Sequence, residues 1–112
     1  MEISETKQGQ VVILSLKGRL DASTSKVLEE KLSDLINNNH EHRLVMDFQQ
    51  LDYISSAGLR VLLMAAKVLK SENGKLVLSS LKEHLKEVFE ITGFQSIFPI
   101  FTNKEEALKN IS

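Results

Sequence analysis

Three histidines and one serine pair are the residues in this 112-residue chain whose types and spacing could do chemistry. His40 and His42 flank Glu41, a spacing that could offer two imidazoles to a metal ion. A stable site needs a third and fourth ligand, and none clusters near that polar loop, so no metal is expected. His84 lies among Lys82, Glu83 and Lys86, which points to the exposed side of a helix rather than to a buried base. The chain has no cysteine, which removes thiolate nucleophiles, thiolate metal sites and disulfides. Ser55-Ser56-Ala57-Gly58 lacks the G-x-S-x-G elbow, and no histidine or acid is placed to activate either hydroxyl. Neither G-x-G-x-x-G nor G-x-x-x-x-G-K-S/T occurs, so no phosphate-cradling loop is expected. These absences predict a protein that is not an enzyme, with no catalytic residue and no cofactor.

The serine pair then stands out by its place. It separates a strand-like run from the apolar stretch that follows Gly58. A serine there can cap the helix, its hydroxyl oxygen accepting a free backbone N–H one turn in. It can also receive a phosphate, which would meet unpaired N–H groups and the positive end of the helix dipole. Residue types alone leave both roles open for Ser55 and Ser56.

Strands alternating with helices must hold this turn. Residues 3–7 alternate loosely, and residues 11–16, VVILSL, are apolar at nearly every position. The link between them contains Gly9, so the two read as a hairpin, with an edge strand followed by a strand buried on both faces. Residues 17–21 read as a loop. A helix is expected from near Ser23, with Leu28, Leu32, Leu35 and Ile36 as its buried stripe, ending at residues 37–39. Residues 43–48 form the next strand, and residues 49–53 a short connection to the serine turn. The helix beyond it reaches about Ser71 and stops near Gly74. A strand over 75–79, a helix over 81–92 stopped by Gly93, an edge strand over 97–101 interrupted by Pro99, and a helix capped by Thr102 or Asn103 and running through Asn110 complete the series. The expectation is a single α/β domain over residues 1–112, with a mostly parallel five-stranded sheet, an antiparallel N-terminal edge strand and about four helices.

The helix after the serines is apolar on two sides. Leu59, Leu62, Leu63, Ala66 and Leu69 share one stripe, while Val61, Met64, Ala65 and Val68 share another nearly opposite. The second stripe is either covered by a loop or neighbouring helix, or offered to a partner, with Arg60 and Lys67 as its rim.

Bulk composition narrows the partners. A net charge of −1 and an aromatic share of 5% call for neither nucleic acid nor an anionic membrane. No apolar run approaches the roughly 20 residues that span a bilayer. The first ten residues lack the basic and apolar regions of a secretory signal, so the expected location is the cytoplasm.

Three motifs carry a resemblance. Gly18-Arg19-Leu20-Asp21, then Tyr53-Ile54-Ser55-Ser56-Ala57-Gly58-Leu59, then Phe89-Glu90-Ile91-Thr92-Gly93-Phe94 are similar in order and spacing to those of the STAS family, and within it to bacterial anti-sigma factor antagonists. The resemblance implies the STAS fold over essentially the whole chain and a monomer that switches partners. In that family the serine two residues before the helix glycine is phosphorylated, which here is Ser56. The kinase is the anti-sigma factor, a histidine-kinase-like ATPase acting on serine, and a serine phosphatase resets the switch. Asp21 matches the acid that contributes to the kinase contact. Together these readings place the partner-binding surface on Asp21, Ser23, Ser55, Gly58, Leu59, Arg60, Val61 and Met64, with Gly58 letting a partner approach the backbone. Ser55 stands where the family often has an acid, and Ala57 where it has a second hydroxyl. The alternative within the family is a non-phosphorylated scaffold subunit of a transport or signalling complex, with Ser56 serving only at the helix start.

Overall fold

In the computed structural model, which describes residues 1–111, the two-residue period of the strands divides the apolar side chains between the two faces of one sheet. The strands are β1 (Glu2–Gln8), β2 (Val11–Leu20), β3 (Arg43–Ile54), β4 (Lys75–Ser79) and β5 (Ile100–Phe101), and they lie in that order across the sheet. β1 is antiparallel to β2 and every other pairing is parallel. The helices are α1 (Ala22–Ser33), α2 (Ser56–Ser71), α3 (Glu83–Thr92) and α4 (Lys104–Ile111). This is the expected mixed five-stranded α/β architecture.

Val12, Leu14 and Leu16 of β2, Leu44, Met46 and Phe48 of β3, and Leu76 and Leu78 of β4 face α1, α2 and α3. The alternate residues Val11, Ile13, Val45 and Val77 meet Ala107 and Ile111 of α4 on the other face. Burial on both faces accounts for the nearly continuous apolar runs in the parallel strands.

Two strands outrun their expected ends. β2 continues through the predicted loop to Leu20, and β3 through the predicted connection to Ile54. The pairing survives two register shifts, the second between Gly18 and Arg19, and resumes with Arg19 opposite Tyr53 and Leu20 opposite Ile54. Gly18 has φ of 108°, a conformation that costs glycine little and other residues much. Buried Leu20, Leu51 and Ile54 anchor the extension, which no simple alternation marks.

Other boundaries shift for local reasons. α1 begins at Ala22, before Ser23, because Asp21 is its cap. Leu35 and Ile36 stay buried but belong to a wide π-type turn, Asp34–Asn38, rather than to α1. α3 starts at Glu83 instead of residue 81. It ends as expected at Gly93, whose φ is 78°. β5 has only two residues, because Phe94–Ser96 coils into a 3-10 turn and Pro99 has no N–H to donate. Asn103 caps the start of α4, its Oδ1 accepting from the Glu106 amide at 2.8 Å.

Candidate functional site

The C-terminal ends of β2 and β3 each turn directly into a helix, so two helix N-termini meet at one corner of the sheet. Leu20 pairs with Ile54, and the next residue on each strand is a cap: Asp21 for α1 and Ser55 for α2. The Ser55 amide donates to the Leu20 carbonyl at 2.8 Å and ties the two turns together.

Asp21 is held by a capping box. Its Oδ1 accepts from the Thr24 amide at 3.0 Å, the Ser23 amide at 3.1 Å and the Ser23 hydroxyl at 2.8 Å. In return the Asp21 amide donates to Thr24 Oγ1 at 2.8 Å, and that hydroxyl donates to the Arg19 carbonyl at 2.8 Å. The Thr24 amide foremost, then the Ser23 hydroxyl, lowers the pKa of the Asp21 carboxyl from 3.8 to about 2. Asp21 is thus a fixed negative charge at the corner, and Ser23 is exposed beside it as one of its donors.

The serines divide the work. Ser55 has extended backbone, and its Oγ accepts from the Gly58 amide at 3.2 Å, so Ser55 is the cap. Ser56 is the first helical residue and is exposed, with no side-chain hydrogen bond among the described residues. Arg60 and Met64 follow Ser56 at four-residue steps and are exposed with it, forming one stripe along α2.

Gly58 and Leu59 are placed differently from the expectation that both face a partner. A Cβ on Gly58 would lie 2.7 Å from Leu20 Cγ and 3.2 Å from Ile54 Cγ1. The glycine therefore admits the chain's own β2–β3 corner, not a partner's backbone. Leu59 is buried in the main core. The second apolar stripe also splits. Val61 and Ala65 are buried where α1 packs on α2, whereas Met64 and Val68 remain 51% and 38% exposed. A shallow groove between the two helices, lined by Leu32, Ile36, Val61, Met64 and Val68, has a volume of about 230 Å³.

A cluster that sequence reasoning missed completes the corner. The Arg19 guanidinium lies 4.2 Å from the centre of the Tyr53 ring. Lys82 pairs with the Asp52 carboxylate and, by that hydrogen bond first, lowers its pKa. His84 Nε2 lies 2.6 Å from the Asp52 backbone carbonyl, so that nitrogen carries the proton. His84, expected to be merely exposed, therefore links α3 to β3. No local pattern signals that link, because the two residues stand 32 positions apart. The other histidines stay outside the site. His42 Nε2 is 3.1 Å from Glu72 Oε1, and among the described residues no group of acids and histidines gathers as a metal site would require. No described helix is long and apolar enough to cross a membrane.

A mostly parallel sheet whose second and third strands end in paired helix caps, with an exposed serine opening the second helix, is an arrangement of STAS type. The chain belongs to the STAS domain family, whose profile matches residues 2–107. It is 44% identical over 107 residues to BtrV of Bordetella bronchiseptica, named as a candidate anti-sigma factor antagonist, covering 96% of this chain and 91% of that one. It is 32% identical over 92 residues to the anti-sigma-B factor antagonist of Bacillus subtilis, covering 82% of this chain and 83% of the relative. Among solved structures, a candidate anti-sigma factor antagonist from Thermotoga maritima superposes with a TM-score of 0.93 at 21% identity, covering 97% of this chain and 93% of that one.

Proposed function

We propose that this protein is an anti-sigma factor antagonist that works by partner switching in the cytoplasm, without catalysis of its own. Unphosphorylated, it binds an anti-sigma factor that is also a serine kinase of the histidine-kinase-like ATPase type, and the sigma factor is released. The kinase transfers the γ-phosphoryl group of ATP to Ser56 Oγ, the complex separates, and a serine phosphatase removes the phosphate. The protein acts as a monomer and contacts no nucleic acid itself. The names of the relatives support the antagonist role.

The observation that carries the switch is the position of Ser56. It is exposed, and the capping duty falls to Ser55. A phosphate on Ser56 adds nearly two negative charges to a helix N-terminus that tolerates them. Arg60, one turn along, is within reach of an i, i+4 pair with that phosphate. Such a pair would take Arg60 from a partner and leave an anion beside Asp21. The partner surface then comprises Asp21, Ser23, Ser56, Arg60 and Met64, with Ser55, Gly58, Leu59 and Val61 shaping it from beneath.

The test is phosphorylation by a purified serine kinase of this type with ATP, followed by mass spectrometric mapping. Phosphate on Ser56 is expected. Kinase binding without modification of either serine would instead mark a scaffold subunit.

A further inference from the structure

At the far end of α2 from Ser56 lies a second, larger depression. It runs between α2 and the outer edge of β4 and has a volume of about 770 Å³, within the ~300–1,000 Å³ typical of ligand sites. β5 pairs with β4 only at Leu78 and Ser79, so no strand lies beyond the first half of β4. Leu63, Ala66 and Phe94 line it on the α2 face of the sheet, and Phe101 lines it on the α4 face, with Ile97 also in the lining. Ile97 is 48% exposed, a large apolar side chain left in water at the rim.

Charge is distributed unevenly around this groove. Lys67 and Lys70 project from α2, and Lys75 follows at the start of β4. None of the three enters an ion pair among the described residues, and no acid lines the groove. In a chain of net charge −1 this is a local excess of positive charge. All three cations lie on the α2 and β4 side, while the lining at residues 94–101 carries no charge.

We propose that this groove binds a single-chain amphiphile with an anionic head, of the long-chain carboxylate type. The tail crosses the open edge of β4, from Leu63, Ala66 and Phe94 past Ile97 to Phe101, and the carboxylate is held by the lysines. An added peptide strand fits less well, because the open edge of β4 ends where β5 begins at Leu78. Lys70 lies about 21 Å along the helix axis from Ser56, by the ~1.5 Å rise per residue. The site is therefore independent of the state of the serine.

The experiment titrates the whole protein with dodecanoate, dodecanol and dodecyltrimethylammonium below their micelle concentrations, followed by calorimetry and amide NMR shifts. Dodecanoate is expected to bind saturably and roughly tenfold more tightly than dodecanol, with shifts at Leu63, Ala66, Ile97 and Phe101. The double variant Lys67→Glu/Lys70→Glu, at exposed positions, loses that preference, whereas Ser56→Asp retains it. Equal binding of the acid and the alcohol would overturn the proposal. So would shifts confined to the α1–α2 groove, absence of saturable binding, or binding of an acidic peptide at these residues where dodecanoate fails.

Discussion

The Ser55 amide donates to the Leu20 carbonyl at 2.8 Å, so each of two neighbouring parallel strands ends one residue before a helix cap. This bond places the N-termini of α1 and α2 side by side. The positive ends of two helix dipoles then face the same corner, where Asp21 supplies a fixed negative charge and Ser56 a free hydroxyl.

Ser55 and Ser56, adjacent in sequence, separate in their effects on stability. Ser55→Ala removes the acceptor for the Gly58 amide and is expected to cost about 1 kcal/mol. Ser56→Ala and Ser56→Asp are expected to stay within about 0.5 kcal/mol of the wild type. Urea denaturation reads the difference. In kinase binding the order reverses, with Ser56→Asp weakening the complex and Ser56→Ala preserving it, as calorimetry would show.

Gly58→Ala tests the close approach of α2 to Leu20. The new methyl meets Leu20 Cγ at 2.7 Å, and overpacking of this kind costs about 1–3 kcal/mol. The better helix propensity of alanine returns about 1 kcal/mol. Net destabilisation is expected because Leu20 is fully buried and has little room to move. Adding Leu20→Val should recover part of the loss, so the double variant is more stable than the two single effects predict.

Val61 and Met64 share a stripe in sequence but not in exposure. Val61→Ala is expected to cost about 1–3 kcal/mol through the cavity it leaves between α1 and α2. Met64→Glu should leave stability nearly unchanged and weaken partner binding. A thermal melt paired with a binding isotherm for each variant separates core from surface.

The capping carboxylate makes stability depend on pH in a predictable direction. Asp21 is lowered from 3.8 to about 2 in the folded state, so folding favours its charged form. Its contribution is complete above about pH 4 and is lost as pH falls through about 2. The denaturation midpoints of wild type and Asp21→Ala should therefore differ at neutral pH and converge toward pH 2. A constant gap across that range would show that the charged cap is not responsible.

By itself the sequence determined the order of strands and helices, because local periodicity and turn residues record it. VVILSL reads as a doubly buried strand, and Gly93 as a helix stop, from nearest neighbours alone. It also singled out the serine turn, since Ser55 and Ser56 stand between a strand-like run and an apolar helix, where a hydroxyl can cap the helix or carry a phosphate. Tertiary structure decided what depends on partners distant in the chain. Lys17 to Leu20 become strand only by meeting Gln50 to Ile54, so their glycine and charges read locally as a loop. Asp21 becomes the cap of α1 because that extended strand delivers it to the corner, where local preference alone leaves it level with the serines that follow. Val61 leaves the surface only because α1 crosses α2 at that point, and Gly58 is required by Leu20, far from it in the chain. Helical spacing gives the direction in which each side chain points, but what stands opposite is set by packing between segments that only the folded chain brings together.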